Sequence, residues 1–297
     1  MQNLGAVPNS QFSVAYAIND HRQAVGCSNT GNGSQHAILW ADGQIHDLGT
    51  LPGFQCSVAT AINNNGQITG RVYNILPEGR DLLLWPSHAF LWENGIMRDL
   101  GTPAECTSSR AYAINDQGQI VGWAGTANGA RRAFVWQAGR MTILASPSEI
   151  SAATGINNSG EIVGEEGSSR DTMHAVVWVN GSIHDLGTIL GHTFNKASAI
   201  NSSGEVVGEA RSLNENVPPP AWDPTGERSM LGEATPPFIW DAEHGMRSLS
   251  SLIPSRSGWY LLQVFGINDQ GQILAWGQYK NQERVCLLTP TSANKVQ

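Results

Sequence analysis

Two glutamates at equivalent places in the chain have the chemistry of an acid/base pair. Glu165 and Glu209 each follow a Val-Gly dipeptide at the end of a short apolar run. Carboxyl pairs of this kind hydrolyse glycosidic bonds, where one group is the acid and the other is the base or nucleophile. His192 lies between them in the sequence and could assist proton transfer. We therefore predict Glu165, Glu209 and His192 as catalytic candidates, although a glutamate at a strand end can equally be a solvated charge.

The position directly after that glycine also suggests a binding site. It carries different residue types around the chain, as one site assembled from several copies of a pattern requires: Cys27, Arg71, Trp123, Glu165 and Glu209, with Trp276 near the equivalent place in the sixth copy. Two long insertions, at 71–87 and 210–237, are expected on the same face, where loops carry function. The predicted ligand-binding residues on this face are Arg71, Asp81, Trp123, Glu166, Lys196, Trp222 and Trp276.

These candidates belong to a sequence pattern that occurs six times. One phrase, of the type Ala-Ile-Asn followed by a turn and an apolar run, contains one asparagine per copy: Asn19, Asn63, Asn115, Asn157, Asn201 and Asn268. A second phrase follows it, as HAILW from His36, HAFLW from His88 and HAVVW from His174. The period of about 44 residues and the Asn-Gly or Asp-Gly turns predict four short strands per copy.

Four strands per copy and a period of this length are typical of β-propeller blades. We therefore predict one all-β domain over 1–297, a six-bladed β-propeller with four-stranded antiparallel blades. The repeat units are expected at approximately 13–56, 57–108, 109–149, 150–195, 196–260 and 261–290. Because residues 3–12 resemble 47–56, the N-terminal strand is expected to complete the last blade and to close the ring.

The sequence His-Ala-Phe at His88, Ala89 and Phe90, which recurs with variations, resembles the HAF repeat family. The resemblance extends over nearly the whole chain. It implies a β-propeller type of repeat, commonly extracellular, with no single biochemical activity attached. The chain opens without a signal sequence, so we expect a cytoplasmic protein, or an extracellular or periplasmic one if this is a mature form.

Most of the repeated residues are better interpreted as scaffold. Each repeat asparagine precedes a turn, where its amide can bond the backbone two residues on, and a ring of Ca²⁺ ligands is the weaker alternative. The tryptophans that end the second phrase are expected to fill the space between blades rather than to stack against sugars. His36, His88 and His174 are expected to be hydrogen-bonded residues at strand ends.

Composition argues against some classes of partner. The formal net charge is −8 and Lys and Arg form no cluster, so we expect no nucleic-acid partner. No run approaches the roughly 18 apolar residues of a membrane helix, so no membrane partner is expected. The four cysteines show no Cys-x-x-Cys spacing. We expect them to be free thiols, and we expect no metal and no cofactor.

Two functions are compatible with these patterns. The leading one is a single asymmetric site on the loop face that binds a small polar molecule or glycan, with carboxylate acid/base catalysis as an option. The alternative is a non-catalytic module that holds a protein or polysaccharide partner through the insertion at 210–237. The fold alone does not decide between them, because propellers carry many activities.

Overall fold

The computed structural model describes residues 4–7, 10, 12–31, 33–75, 86–169, 172–189, 192–211 and 237–291. Contacts divide the chain into two compact units, residues 1–144 and residues 145–297. Both units consist of consecutive antiparallel strands, which we group into meanders. Across the described ranges, no helix is long and apolar enough to cross a membrane.

Unit 1 contains three meanders in which each strand pairs with the next. Meander 1 comprises β1 (Ser13–Ile18), β2 (Ala24–Asn29), β3 (Gln35–Ala41) and β4 (Gln44–Asp47). Meander 2 comprises β5 (Cys56–Ile62), β6 (Ile68–Tyr73), β7 (Ser87–Glu93) and β8 (Ile96–Gly101). Meander 3 comprises β9 (Cys106–Ile114), β10 (Ile120–Thr126), β11 (Arg131–Gln137) and β12 (Arg140–Ile143).

Unit 2 continues the same pattern. Meander 4 comprises β13 (Ile150–Ile156), β14 (Ile162–Gly167), β15 (His174–Val179) and β16 (Ser182–Asp185). Meander 5 comprises β17 (Phe194–Ile200), β18 (Val206–Arg211), β19 (Pro237–Asp241) and β20 (Gly245–Ser248), followed by one 3-10 turn (Leu249–Ser251). Meander 6 comprises β21 (Trp259–Ile267), β22 (Ile273–Tyr279) and β23 (Gln282–Leu288).

The four-stranded antiparallel pattern is confirmed in meanders 1 to 5. Six four-stranded blades in a closed ring, as predicted, are not what the structure shows. Meander 6 has three strands, and the described N-terminal residues before β1 form no strand that could complete it. These residues lie on meander 1 instead. Gly5 O accepts a hydrogen bond from Trp40 Nε1 (3.2 Å), and Val7 packs beside Ile45. No described residue before β1 forms the fourth strand of meander 6, so ring closure by residues 3–12 is a wrong prediction.

Neighbouring meanders within each unit pack face to face through apolar side chains. In unit 1, Leu39 and Phe90 lie in one buried cluster, and Trp92 packs against it. In unit 2, Val163 and Phe238 do the same, again with a tryptophan of the later meander against the cluster. The tryptophans thus fill the spaces between successive sheets, as their repeated position predicts.

A glycine in the second strand of a meander is required by a bulge in the first strand. The pairing of β5 with β6 skips one residue between Ala59 and Ala61, which brings the carbonyl of Val58 over Gly70. A Cβ atom at Gly70 would lie 1.9 Å from that oxygen. A comparably close approach of 1.9–2.1 Å occurs at Gly26, Gly122, Gly164 and Gly208. The repeated glycine is therefore a packing requirement.

The repeat asparagines are turn residues, as predicted. Asn63 Oδ1 accepts hydrogen bonds from the backbone N–H groups of Asn65 (3.1 Å) and Gln67 (2.9 Å). Its amide nitrogen donates to Gln67 Oε1 (2.7 Å) and also to Asn115 O (2.9 Å) in the next meander. In unit 2, Asn157 makes the corresponding bond to the meander that follows it. The asparagine thus closes its own turn and ties adjacent meanders together.

The strand-end histidines are hydrogen-bonded, as predicted, and each has an aspartate partner. Three pairs are eleven residues apart: His36 with Asp47, His88 with Asp99, and His174 with Asp185. His88 Nδ1 lies 2.7 Å from Asp99 Oδ2, while Asp99 Oδ1 accepts the N–H of Gly101 (2.7 Å). Each aspartate begins an Asp-Leu-Gly triplet, at 47–49, 99–101 and 185–187, so each pair links the start of a third strand to the fourth strand that follows it.

Candidate functional site

The candidate Glu165 faces the space between meanders 4 and 5. It lies two residues after Val163 on β14, and side chains two residues apart share one face of a strand. Val163 belongs to the buried cluster formed by meanders 4 and 5, as does Ala175, the Cα partner of Glu165 on β15. We call this space the 4/5 gap. The half-buried carboxylate of Glu165 therefore lies beside this apolar cluster, toward the loop end of the two sheets.

The second candidate, Glu209, faces the next space along unit 2. It lies two residues after Val207 on β18, and Val207 packs with Leu261 of meander 6. We call this space the 5/6 gap. Lys196 is the Cα partner of Glu209 on β17 and shares its face. Meander 5 thus stands between Glu165 and Glu209, so the acid/base pair predicted from the sequence has no shared cavity.

Asn195 distinguishes the 4/5 gap from the other spaces. It lies two residues before Ala197 of the 4/5 cluster and is completely buried. Its backbone N–H donates to Met173 O (2.9 Å), directly before β15, the strand that pairs beside Glu165. Its side-chain nitrogen lies 3.5 Å from Gly187 O, to which it donates. Its Oδ1 is buried and accepts no hydrogen bond from the described residues.

Serine occupies the equivalent place in unit 1, where the polar group is satisfied. Ser57 Oγ donates to Gly49 O (2.6 Å) and accepts the N–H of Ala37 (2.8 Å). Ser109 makes the same two types of bond. Asn195 keeps only the donor half, because its oxygen lies one bond further from the backbone. A buried amide oxygen without a donor is rare in folded proteins, and a water or ligand group commonly supplies the missing bond.

Two further candidates are His192, which is near Asn195 in the sequence, and Glu166, which is next to Glu165. His192 precedes Asn195 by three residues, in the loop before β17, and its Nδ1 is buried without a partner among the described residues. Glu166 faces away from the 4/5 gap because it alternates with Glu165, and its Oε2 accepts a hydrogen bond from Ser146 Oγ (3.3 Å). The structure thus places Glu165 and Asn195 in one gap, with His192 in the adjoining loop and Glu166 outside.

Two ligand-binding candidates of unit 1, Arg71 and Trp123, are buried structural residues. Trp123 is 2% exposed, and the guanidinium carbons of Arg110 and Arg131 lie 5.0 and 4.8 Å from the centre of its ring. Arg71 is also buried, and its guanidinium carbon lies 5.2 Å from the ring centre of Tyr73. These are cation–π distances. The ring of Trp123 is therefore occupied by protein contacts and is not an open stacking surface for a sugar.

Tyr73, beside Arg71, is a buried phenol. Its hydroxyl donates to Gln35 Oε1 (2.7 Å), and its ring belongs to a buried cluster with Cys27 and Cys56, neither of which forms a disulfide. Burial raises the pKa of Tyr73 far above its ordinary value, and the Arg71 guanidinium opposes this effect only in part. Tyr73 therefore stays protonated in the folded chain at pH values where a free tyrosine ionises.

We expect the free energy of unfolding to fall above about pH 10 because of Tyr73. A raised pKa in the folded state means that the stabilising contribution is complete below the unfolded pKa, which is about 10, and is lost as the pH rises further. Tyr73→Phe has no phenol to ionise at this position. Between about pH 10 and about pH 11 its free energy of unfolding should therefore fall by about 1 kcal/mol less than that of the wild type. Urea unfolding followed by tryptophan fluorescence measures the change, and equal pH slopes for the two proteins would contradict it.

The remaining predicted site residues lie elsewhere or outside the described chain. Trp276 is the Cα partner of Val285 and shares a face of meander 6 with Leu274, away from the 4/5 gap. Asp81 and Trp222 lie outside the described residues, as does most of the insertion at 210–237. Strand alternation, counted from the residue before each repeated glycine, is the sequence signal that separates the two faces of a sheet.

The 4/5 gap offers acceptors of hydrogen bonds. The Glu165 carboxylate and the Asn195 amide oxygen only accept hydrogen bonds, and one imidazole nitrogen of neutral His192 does so too. Such a set is complementary to a hydroxyl or ammonium group, which donates. In the part of the chain that the structure describes, no three His, Cys, Asp or Glu side chains come together in a way that could hold a metal ion.

Comparisons with known proteins identify a family and a fold. A family profile described as "Protein of unknown function (DUF3466)" matches residues 13–228, almost three quarters of the chain. A comparison with curated proteins gave no match. The resemblance to the HAF repeat family stays a prediction.

Two solved structures share the fold with nine tenths or more of this chain. The β-propeller domain of the Trilobed protease from Pyrococcus furiosus, which has an open velcro topology, is 8% identical with a TM-score of 0.55 and covers 94% of this chain and 82% of its own. TolB from Acinetobacter baumannii is 10% identical with a TM-score of 0.52, covering 90% of this chain. This chain spans 61% of the length of that TolB chain. The fold is an all-β β-propeller with four-stranded antiparallel blades.

Proposed function

The chain belongs to the DUF3466 family of proteins of unknown function, and we propose that its 4/5 gap binds a small polar molecule that donates hydrogen bonds, such as a sugar. Glu165 and Asn195 are the binding residues, and His192 assists from the adjoining loop. The ligand enters from the loop end of the gap, where Glu165 is half-buried, and a hydroxyl or ammonium group reaches Asn195.

The buried Asn195 Oδ1 without a donor is the observation that carries this proposal. An amide oxygen taken out of water without a hydrogen bond costs about 1–3 kcal/mol. A serine at this place avoids the cost, as the bonds of Ser57 and Ser109 show. The orientation of the amide is set by Gly187 O, which can only accept and therefore faces the Asn195 nitrogen. The oxygen is thus directed away from the one carbonyl that contacts the side chain.

The carboxylate of Glu165 indicates which class of ligand the 4/5 gap would bind. Glu165 makes no hydrogen bond or ion pair with the described residues, so its carboxylate is available to a ligand. Hydrogen bonds to an ionised carboxylate are stronger than those between neutral groups. A ligand with two neighbouring hydroxyl groups, as in a sugar ring, could donate to the Glu165 carboxylate and to the Asn195 amide together.

Thermal unfolding in the presence of a panel of monosaccharides, disaccharides and polyols tests the proposal. A ligand that binds only the folded chain at one hundred times its Kd stabilises it by about 2.7 kcal/mol. We expect at least one sugar to raise the melting temperature of the wild-type chain. Asn195→Ser introduces the serine that repeats 1 to 4 have at this place, so it should leave the unliganded chain equally or more stable while abolishing the shift.

Two equivalent glutamates supply a matched control for the location of the site. Glu165→Gln should reduce the sugar-induced shift, whereas Glu209→Gln, at the same repeat position but in the 5/6 gap, should leave it unchanged. A shift that survives in Asn195→Ser, or one that depends equally on both glutamates, would place the ligand outside the 4/5 gap. If no sugar or polyol in the panel changes the melting temperature, the proposed function is wrong.

The alternative function, an interaction module on the insertion at 210–237, stays a prediction. Only its ends, at β18 and β19, are described. Deletion of residues 212–235 should leave the sugar-induced shift intact if the site is the 4/5 gap. The same deletion should abolish binding of a protein or polysaccharide partner if the insertion is the binding element.

A further inference from the structure

The 5/6 gap contains two opposite charges that are not paired with each other. Glu209 on β18 and Lys196 on β17 are Cα partners, and their side chains share the face toward meander 6. Both residues are half-buried, and neither makes a hydrogen bond or an ion pair with the described part of the chain. Opposite charges on neighbouring strands commonly pair, and a charge withdrawn from water needs a partner. Both groups lack that partner.

Apolar side chains form the inner boundary of this charge pair. Glu209 lies two residues after Val207, and Val207 packs with Leu261 of meander 6 in a buried cluster. Leu261 has the strand position in meander 6 that Asn195 has in meander 5, as the pairings of the first strands with the second strands show. The 5/6 gap therefore has an apolar floor in place of the amide that distinguishes the 4/5 gap.

Aromatic rings lie further out in the same gap. Phe194 precedes Lys196 by two residues, and Trp259 precedes Leu261 by two, so strand alternation puts both rings at the loop end of the gap, one on each wall. Tyr279, the Cα partner of Trp259, stacks on it with ring centres 5.2 Å apart and an angle of 29° between the planes. The two charges thus lie between an apolar floor and an aromatic rim, although charges are usually outermost.

We propose that the 5/6 gap binds an aromatic α-amino acid in its zwitterionic form. The Glu209 carboxylate accepts hydrogen bonds from the ammonium group of the ligand, and the Lys196 ammonium group donates to the carboxylate of the ligand. The aromatic side chain of the ligand lies between Phe194 and Trp259. A zwitterion supplies both missing partners at once, whereas a simple cation or anion supplies only one. All of these protein residues belong to unit 2, and meander 5 separates them from the proposed sugar site.

Calorimetric unfolding of the full-length chain with phenylalanine, tyrosine and tryptophan tests this inference from the side of the ligand. At millimolar concentration, we expect at least one of the three to raise the melting temperature. The N-acetyl derivative of the same amino acid lacks the ammonium group, and its amide lacks the carboxylate. Each derivative should therefore cause a much smaller shift than the free amino acid.

Substitutions test the same contacts from the side of the protein. Glu209→Gln and Lys196→Met should each abolish the shift, and Trp259→Leu should reduce it. Glu149→Gln is the matched control, because Glu149 is an exposed glutamate of unit 2 in the loop before β13, outside the gap. This variant should keep the full shift.

Three results would overturn the inference. They are the absence of a shift with all three amino acids, a shift that persists in both Glu209→Gln and Lys196→Met, and derivatives that act as strongly as the free amino acid. The derivatives probe the two charges in the unaltered chain, so the inference can fail even if a variant does not fold. The sugar panel neither supports nor weakens it, because the two ligands occupy different gaps.

Discussion

Gly70→Ala should prevent meander 2 from forming its native strand pairing. The new methyl carbon would lie 1.9 Å from Val58 O and 3.0 Å from Ala59 Cα, and both are backbone atoms that cannot rotate away. The bulge of β5 would have to be displaced, along with its contacts to the neighbouring meanders. We expect a loss on the order of 4 kcal/mol or more. This is a large part of the roughly 5–15 kcal/mol that stabilises a typical domain.

Gly31→Ala is the matched control for this substitution. Gly31 lies in the exposed turn between β2 and β3 and has no atom within 4 Å of a Cβ built on it. Its substitution should change the stability by no more than about 0.5 kcal/mol. Urea unfolding of soluble Gly70→Ala and Gly31→Ala chains measures the difference. Equal midpoints would show that the carbonyl of Val58 does not lie over Gly70, and the bulge would be misassigned.

Asn63→Ala should produce the second largest loss of stability. Removal of the amide leaves the N–H groups of Asn65 and Gln67 without their acceptor and takes one of its two donors from the carbonyl of Asn115, in a turn where Asn63 itself is buried. Each buried polar group that loses its hydrogen bond costs about 1–3 kcal/mol. We expect a total of about 2–4 kcal/mol, because water reaches some of these groups after the substitution. Thermal and urea unfolding both report this quantity.

Asn268→Ala provides the comparison that separates burial from the turn itself. Asn268 makes the same bonds to its own turn, at Gln270 and Gln272, but it is exposed to solvent. Water can replace the lost bonds, so we expect a loss of about 1 kcal/mol or less. If both substitutions cost the same, the bond from Asn63 to the next meander contributes nothing, and the asparagines serve only their own turns.

The repeating part of the fold could be predicted from the sequence because it depends on local rules. Turn chemistry fixed the role of Asn63 and its equivalents, and the period with Asn-Gly turns predicted four-stranded antiparallel units. The N-terminal prediction was wrong for a physical reason. Residues 3–12 resemble 47–56 in sequence, and the two segments share one contact. Ser13 Oγ lies 3.5 Å from Gly5 O, as Ser57 Oγ donates to Gly49 O. This contact shapes a turn and does not require strand pairing.

The candidate site could be predicted only in part. The sequence indicated Glu165, His192 and the loop around Asn195, because these residues depart from the repeat. It placed Glu165 and Glu209 together because equivalent positions were assumed to converge. The structure assigns them to different gaps, since Glu165 faces meander 5 and Glu209 faces meander 6. The missing hydrogen bond of Asn195 depends on packing between two sheets and has no local sequence signal.

A crystal structure of the chain with a sugar that raises its melting temperature would locate the ligand relative to Asn195. We expect a ligand hydroxyl within about 3 Å of Asn195 Oδ1, with a second hydroxyl on the Glu165 carboxylate. Density for the sugar at any other place, with Asn195 Oδ1 satisfied by a backbone N–H group or by water alone, would contradict it.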